Sequence, residues 1–171
     1  MTLSKIAPCL WFDTQGEEAA NFYIGIFKNS KINSIARYGK EGHDIHGGKE
    51  GAVMTVLFEL DGQSFTALNG GPIFRFNEAV SLQIYCDTQE EIDYYWNKLT
   101  PGGDVSAQQC GWLKDKYGVS WQVVPSMMNE WFSGPVTEKT ERAMKAMLQM
   151  KKLDMAELQA AYSGKTPEQR A

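Results

Sequence analysis

Cysteine, histidine and long apolar runs are scarce in this 171-residue chain, and each shortage excludes a class of protein. Its three cysteines, Cys9, Cys86 and Cys110, are widely spaced and form no Cys-x-x-Cys pair, so the sequence predicts neither a disulfide framework nor a zinc knuckle. No stretch approaches the roughly 20 apolar residues of a membrane-spanning helix, and no secretory apolar segment opens the chain. We therefore expect a cytoplasmic protein with reduced cysteines and no membrane partner.

The charge balance argues against a nucleic-acid partner. The chain has 17 Lys and Arg against 21 Asp and Glu, a net charge of -4, and no cluster of basic residues. A protein that binds phosphates needs such a cluster. Apolar residues make up 43% of the chain, which is enough to form a globular core.

One short string occurs twice and indicates an internal repeat. Asp-Thr-Gln stands at 13–15 and again at 87–89, each time after a strand-like run. Each copy opens a Thr-x-x-Glu sequence, the spacing of a helix capping box, which predicts Thr14 and Thr88 as N-caps. Gly16 is then a one-residue insertion in the first copy. Equivalent apolar helix positions follow in both copies: Ala19, Phe22, Tyr23 and Ile26, then Ile92, Tyr95, Trp96 and Leu99.

Three strand-like segments follow each predicted helix, so the order strand, helix and three strands is repeated. In the first half these segments are 31–38, 52–60 and 63–68, and in the second half 104–107, 111–114 and 119–124. Asp61-Gly62 predicts a tight hairpin in the first half. Thr137 and Asp154 are predicted to begin further helices. The predicted organisation is a first module over 1–75, a second over 76–133 and a helical tail over 134–171.

Side-chain alternation on two strands predicts where polar groups gather. In 79–86 it places Val80, Leu82, Ile84 and Cys86 on one face, and Ser81, Gln83 and Tyr85 on the other. In 119–124 the apolar face holds Val119, Trp121 and Val123, with Gln122 opposite. An unpaired polar side chain in a core costs about 1–3 kcal/mol. We therefore expect Gln122 to face solvent, a cavity or a dedicated partner.

Four stretches carry a resemblance to a known family. They are PCLWFDTQGEEAANFYIGIFKNSKI (8–32), GAVMTVLFELDGQSFTALNGGP (51–72), VSLQIYCDTQEEIDYYWNKL (80–99) and CGWLKDKYGVSWQVVP (110–125). The chain resembles the vicinal oxygen chelate superfamily of glyoxalase I, bleomycin-resistance proteins and extradiol dioxygenases. Within it, the chain is most similar to the PhnB-like branch that carries a 3-demethylubiquinone-9 3-methyltransferase domain name.

This resemblance runs over about residues 5–160 and implies an α+β fold. Two tandem βαβββ modules would form a curved mixed sheet around a cleft, followed by C-terminal helices. The superfamily contains isomerases, dioxygenases, transferases and drug-binding proteins, so the fold does not specify an activity.

The resemblance also implies where a metal would be held. Its ligand positions fall on Pro8, Ser81, Gln122 and the strand around 64–68, where no His, Asp or Glu occurs. Asp115 and Gly118 match the turn that precedes the last ligand position. A divalent cation prefers imidazole or carboxylate ligands. We therefore expect a metal-free cleft in which Gln122 orients a ligand as a neutral donor and acceptor.

The candidate ligand-binding residues are those that alternation and the resemblance place on the cleft. They are Ser81, Gln83, Tyr85, Gln122, Trp112 and Thr66. His43 and His46 could form a metal pair with Asp44, but the surrounding glycines favour an exposed loop, with a ligand-contacting lid as the alternative. Catalytic residues are not identified.

Three functions remain open from the sequence. Binding or sequestering a small organic molecule fits a neutral cleft best and needs no cofactor. A metal-dependent lyase, isomerase or dioxygenase would need ligands that the sequence does not supply. A methyltransferase, as the family label implies, would use S-adenosylmethionine, yet neither strand-to-helix junction carries a glycine-rich loop.

The helical tail predicts an assembly. Met144, Met147 and Met150 contribute to an apolar stripe that one pair of small modules would not cover. Together with the resemblance, this stripe predicts a homodimer.

Overall fold

The computed structural model describes residues 5–165, which form two compact units that divide between Phe76 and Asn77. Each unit has its own open sheet and its own helices. The predicted α+β class is confirmed. No helix among these residues has both the length and the apolar character needed to cross a bilayer.

The first unit contains four strands and two helices. These are β1 (Cys9–Phe12), α1 (Gly16–Ile24), β2 (Lys31–Arg37), α2 (His43–His46), β3 (Val53–Leu60) and β4 (Gln63–Asn69). The strands are ordered β1-β4-β3-β2, with β1 parallel to β4 and the other pairs antiparallel. The predicted hairpin at Asp61-Gly62 is confirmed. Both residues have positive φ, 46° and 78°, as the favoured two-residue turn requires.

Helix α1 packs its predicted apolar face on the sheet. Ala19 and Tyr23 are fully buried, and the Tyr23 ring stacks on Phe58 of β3 with ring centroids 6.4 Å apart. Phe58 in turn stacks on Phe65 of β4. Because β4 alternates, Phe65 faces this core while Thr66 lies on the other face of the sheet.

The predicted Thr14 cap is wrong. Helix α1 begins one residue later, at N-cap Gln15, which makes no side-chain cap. The Asn69 side chain accepts instead, with its Oδ1 2.7 Å from the Gly16 nitrogen. A Cβ on Gly16 would also lie 2.7 Å from that oxygen, so glycine lets the distant asparagine cap the helix.

The second unit contains three strands and four α-helices. These are β5 (Leu82–Cys86), α3 (Gln89–Leu99), β6 (Trp112–Lys114), β7 (Ser120–Pro125), α4 (Met127–Phe132), α5 (Glu138–Met147) and α6 (Met155–Ser163). The strands are ordered β5-β7-β6, with β5 parallel to β7 and β6 antiparallel to it. The predicted caps Thr88, Thr137 and Asp154 are confirmed, since each side chain accepts from a first-turn amide.

Two strand predictions in the second unit are wrong. Residues 104–107 form no strand, and Val105–Ala107 is a 3₁₀ helix. The Asp104 carboxylate accepts hydrogen bonds from the Ser106 amide and hydroxyl. Because the Ser106 amide has this local partner, it does not need a partner in a neighbouring strand. Strand β5 begins at Leu82 rather than at residue 79. Val80 therefore lies outside the strand and is 74% exposed instead of buried.

The helices after β7 pack within the second unit. Leu153 and Leu158 are fully buried. The amides of Cys110 and Gly111 donate to Met150 and Lys151 carbonyls, both at 2.8 Å. Gly111 has a φ of 83°, and a Cβ there would lie 2.8 Å from the Val123 carbonyl oxygen. Glycine at this position lets the tail pack closely on β7.

Candidate functional site

Four predicted residues form one chain of hydrogen bonds on the second sheet. The Tyr85 hydroxyl donates to Gln83 Oε1 at 2.7 Å, and Gln83 Nε2 donates to Gln122 Oε1 at 3.4 Å. Gln122 Nε2 then donates to Ser81 Oγ at 2.8 Å. We call Ser81, Gln122, Gln83 and Tyr85 the amide row. Each glutamine amide uses one of its two N–H groups within the row, which leaves one for a ligand.

Strand register brings the row together. Gln83 of β5 pairs with Gln122 of β7, and Gln122 pairs with Trp112 of β6. Directly paired residues lie on the same face of a sheet, so two amides and an indole stand side by side across three strands. The other face is apolar and buried, with Trp121 and Val123 among its residues. Gln122 is thus excluded from the core, and its amide has partners.

Asp115 holds the turn that joins β6 to β7 and sets the register between these two strands. It is 2% exposed, and its carboxylate accepts from Trp121 Nε1 at 2.8 Å, from Val119 N at 3.0 Å and from Tyr117 N at 2.9 Å. Gly118 has a φ of 84°, a conformation that suits glycine. Asp115 and Gly118 therefore position Trp112 beside Gln122.

The amide row opens into a cavity of about 480 Å³ within the second unit. This volume is within the usual range for small-molecule sites. The cavity is lined by Gln83, Tyr85, Cys110, Trp112, Gln122, Val124, Pro125, Met128, Asn129, Phe132, Ser133 and Met147. Tyr85 is half exposed, at 50%, and gives solvent a path to the row. None of these lining residues is Asp, Glu, Lys, Arg or His.

Sequence reasoning identified four of the twelve lining residues and missed eight. Gln83, Tyr85, Trp112 and Gln122 line the cavity, and Ser81 is joined to it through Gln122. Thr66 lies in the first unit, paired with Cys9 and Leu57, and is not among the lining residues. Four of the eight missed residues belong to α4 and α5: Met128, Asn129, Phe132 and Met147. Their available signal was the helical i, i+4 spacing of Met128 and Phe132 just after Pro125.

The thiols differ in their surroundings. Cys110 lines the cavity, whereas Cys86 is completely buried beneath the sheet. Burial, followed by the nearby Glu91 and Asp87 carboxylates, raises the pKa of the Cys86 thiol to about 12. Cys9, in the first unit, has a pKa raised by partial burial. A reagent that enters the cavity can therefore reach Cys110, whereas Cys86 is shielded by burial.

A second cavity, of about 580 Å³, lies in the first unit and has a different character. Its lining includes the Asp13 and Glu17 carboxylates, Tyr38 and His46. His46 stacks on Tyr38 with ring centroids 4.5 Å apart, and its Nδ1 accepts from the Gly48 amide at 2.9 Å. His43 is exposed at the start of α2. The predicted exposed loop is therefore a short exposed helix, with only one of its two histidines at the cavity.

The residues do not fit the metal that the superfamily implies. Pro8 lies beside Thr66, whose amide donates to the Pro8 carbonyl at 3.0 Å, and Ser81 is hydrogen bonded to Gln122. These four residues supply no imidazole and no carboxylate. Within residues 5–165, no three His, Cys, Asp or Glu side chains are grouped to hold a metal ion. The metal-free cleft stays a prediction.

Each strand-to-helix junction uses a first-turn amide for a side-chain cap. At α1 the Gly16 amide donates to Asn69, and at α3 the Glu91 amide donates to Thr88. Neither junction carries the glycine-rich loop that lets the backbone approach a nucleotide-type cofactor closely.

Comparisons with known proteins identify the family. The sequence model for the family described as 3-demethylubiquinone-9 3-methyltransferase matches residues 4–124. The PhnB protein of Bacillus cereus is 40% identical, with 71% of this chain and 99% of that chain covered and a TM-score of 0.62. No curated protein matches the sequence at a significant level.

More distant solved structures share the fold. A protein from Pseudomonas aeruginosa is 19% identical over 71% of this chain and 97% of its own, with a TM-score of 0.57. The fosfomycin resistance protein FosX of Listeria monocytogenes is 12% identical over 77% and 98%, with a TM-score of 0.52. The family match over more than half of the sequence establishes membership: the chain belongs to the 3-demethylubiquinone-9 3-methyltransferase family, the PhnB-like branch of the vicinal oxygen chelate superfamily.

Proposed function

We propose that the protein binds a small, uncharged organic molecule in the cavity of its second unit. The observation that carries this proposal is the amide row, a continuous set of neutral donors and acceptors that opens into a cavity without a formally charged lining residue. Family membership supports a small-molecule role but does not specify an activity.

The lining chemistry selects against ions. A charged group moved from water into a cavity without a counter-charge loses hydration that neutral amides replace only in part. Gln83 and Gln122 instead offer amide N–H and C=O groups, which match the polar edge of an uncharged ligand. Trp112 lies in the same cross-strand row and provides an aromatic surface for the rest of the molecule.

Three ligands of nearly equal shape test the proposal: 2-naphthamide is neutral, 2-naphthoate is anionic and 2-naphthamidine is cationic. We expect saturable binding of 2-naphthamide, and affinities for both ions at least about tenfold weaker because of desolvation. Titration followed by protein-observed NMR measures all three. Absence of 2-naphthamide binding, or tighter binding of either ion, would overturn the proposal.

Cys110 provides a local readout in the same experiment. Bound 2-naphthamide should slow iodoacetamide modification of Cys110, measured by peptide mass spectrometry, without slowing modification of Cys9. A Gln122→Leu variant should weaken binding about fivefold through the lost hydrogen bond, whereas Gln159→Leu, at an exposed position of α6, should not.

The alternative functions give different outcomes. A metal-dependent enzyme would retain a stoichiometric divalent ion when purified without a tag, and a methyltransferase would bind S-adenosylmethionine saturably in calorimetry. Either result would replace the proposed function.

A further inference from the structure

The source of the cavity lining changes after residue 124, from strands mainly to helices. Up to that point the lining is supplied by strands and the approach to β6, including the amides Gln83 and Gln122. After it come Pro125, Asn129 and Ser133, together with three large apolar side chains of α4 and α5, Met128, Phe132 and Met147. We call Met128, Phe132 and Met147 the apolar wall. Half of the lining therefore comes from the C-terminal segment.

This change coincides with the end of the family match. The family model stops at residue 124. The Bacillus cereus protein is covered over 99% of its length but covers only 71% of this chain. The sequence resemblance is expected to run to about residue 160, but the family model ends at residue 124. All three residues of the apolar wall lie after residue 124.

Specific contacts fix the segment to the end of β5 and to α3. At its start, the Ser126 amide donates to the Cys86 carbonyl at 2.8 Å, and the Ser126 hydroxyl donates to Asp87. Further along, Lys152 Nζ lies 2.5 Å from an Asp93 carboxylate oxygen, and the Met155 amide donates to Gln89 Oε1 at 2.8 Å.

The segment also holds itself together. Trp131 of α4 stacks on Tyr162 of α6 with ring centroids 4.1 Å apart and planes within 7°. The Arg142 guanidinium donates to the Ala161 and Tyr162 carbonyls, both at 3.0 Å. Contacts of this number and type hold α4 and α5 in place beside the amide row.

We infer that the segment after residue 124 determines which ligands the cavity accepts. This inference rests on the proposed function of the cavity. The apolar wall selects ligands that have an apolar body in addition to the polar edge bound by the amide row. The ligand class is therefore an uncharged molecule with a ring or chain on one side and a hydrogen-bonding group on the other. Thioether side chains adapt to such a body, since methionine is flexible and polarizable.

Two probes separate the body from the edge. Benzamide and 2-naphthamide share the carboxamide, but 2-naphthamide has one more ring. The wall variant is Met128→Ala with Met147→Ala, and its matched control is Met127→Ala with Met155→Ala. The control removes the same atoms from half-buried methionines of α4 and α6 that do not line the cavity.

We expect the wall variant to bind 2-naphthamide about tenfold more weakly and benzamide less than about threefold more weakly, while the control matches wild type for both. Thermal unfolding of both variants checks that they fold. Should the wall variant unfold, Met128→Gln against Met127→Gln makes the same comparison without deleting volume.

The outcomes are distinguishable. An unchanged ratio of the two affinities in a folded wall variant overturns the inference but leaves the proposed function standing. An equal loss in the control variant also overturns it, because the effect then comes from helix stability rather than from the wall. Failure of wild-type protein to bind either amide overturns the proposed function and the inference together.

Discussion

Replacing Asp115 tests how much its buried carboxylate stabilises the turn before β7. The carboxylate accepts from two buried donors, Trp121 Nε1 and Val119 N, and from the half-buried Tyr117 N. Leaving one buried donor unpaired costs about 1–3 kcal/mol. Asp115→Ala should therefore lower the free energy of unfolding by about 2–6 kcal/mol, a large part of the stability of an ordinary domain.

Asp115→Asn refines this prediction because it retains one carbonyl acceptor. Its loss should be smaller, about 1–3 kcal/mol. Urea unfolding of wild type and of both variants, monitored by tryptophan fluorescence, measures these losses. A shifted urea midpoint with an unchanged dependence of the unfolding free energy on urea concentration indicates a change in stability alone. Asp104→Ala is the control, since that aspartate is exposed and caps only a 3₁₀ turn. Equal losses for Asp115→Ala and Asp104→Ala would refute the reasoning.

Two further predictions concern the C-terminal segment. The Lys152 ammonium, followed by the Gln89 amide, lowers the pKa of Asp93 in the folded protein. The ionised Asp93 therefore stabilises the fold at pH values above its pKa in the unfolded chain. This stabilisation is lost as the pH falls through the lower pKa of the folded state. Wild type should then be more stable than Asp93→Asn at neutral pH, with the difference shrinking below about pH 4; a pH-independent difference in urea midpoint would contradict this. The homodimer expected from sequence stays a prediction, and the groove that contains half-exposed Met144 and Leu148 is where we expect the second copy to bind. Sedimentation velocity should show a dimer at micromolar concentration that Leu148→Glu converts to monomer, and a wild-type monomer would end this hypothesis.

The amide row shows how far local pattern extends toward a site. Alternation on two strands was enough to place Gln83 and Gln122 away from the core, because side chains in a strand alternate whatever lies around them. The alternation pattern did not predict that the two amides pair with each other. The register between β5 and β7 brings them together, and that register depends on the packing of residues distant in sequence.

Errors arose where a distant partner or a local hydrogen bond replaced the expected one. Thr14 has the spacing of a cap, but Asn69 reaches the helix start from a neighbouring strand. Residues 104–107 have the spacing of a strand in a repeated module, but Asp104 satisfies the backbone locally. The sequence repeat therefore predicted the fold class, but it wrongly predicted a third strand after the helix of the second unit.

The sequence by itself determined the helix faces, the caps at Thr88, Thr137 and Asp154, the Asp61-Gly62 hairpin and the family, since each depends on neighbours within a few residues or on recognisable strings. Only the tertiary structure decided that the C-terminal helices line the cavity. Met128 and Met147 become neighbours of the amide row through the packing of α4 and α5 on the second unit. Such packing depends on complementary surfaces from segments that are far apart along the chain. The periodicity of a single segment does not predict it.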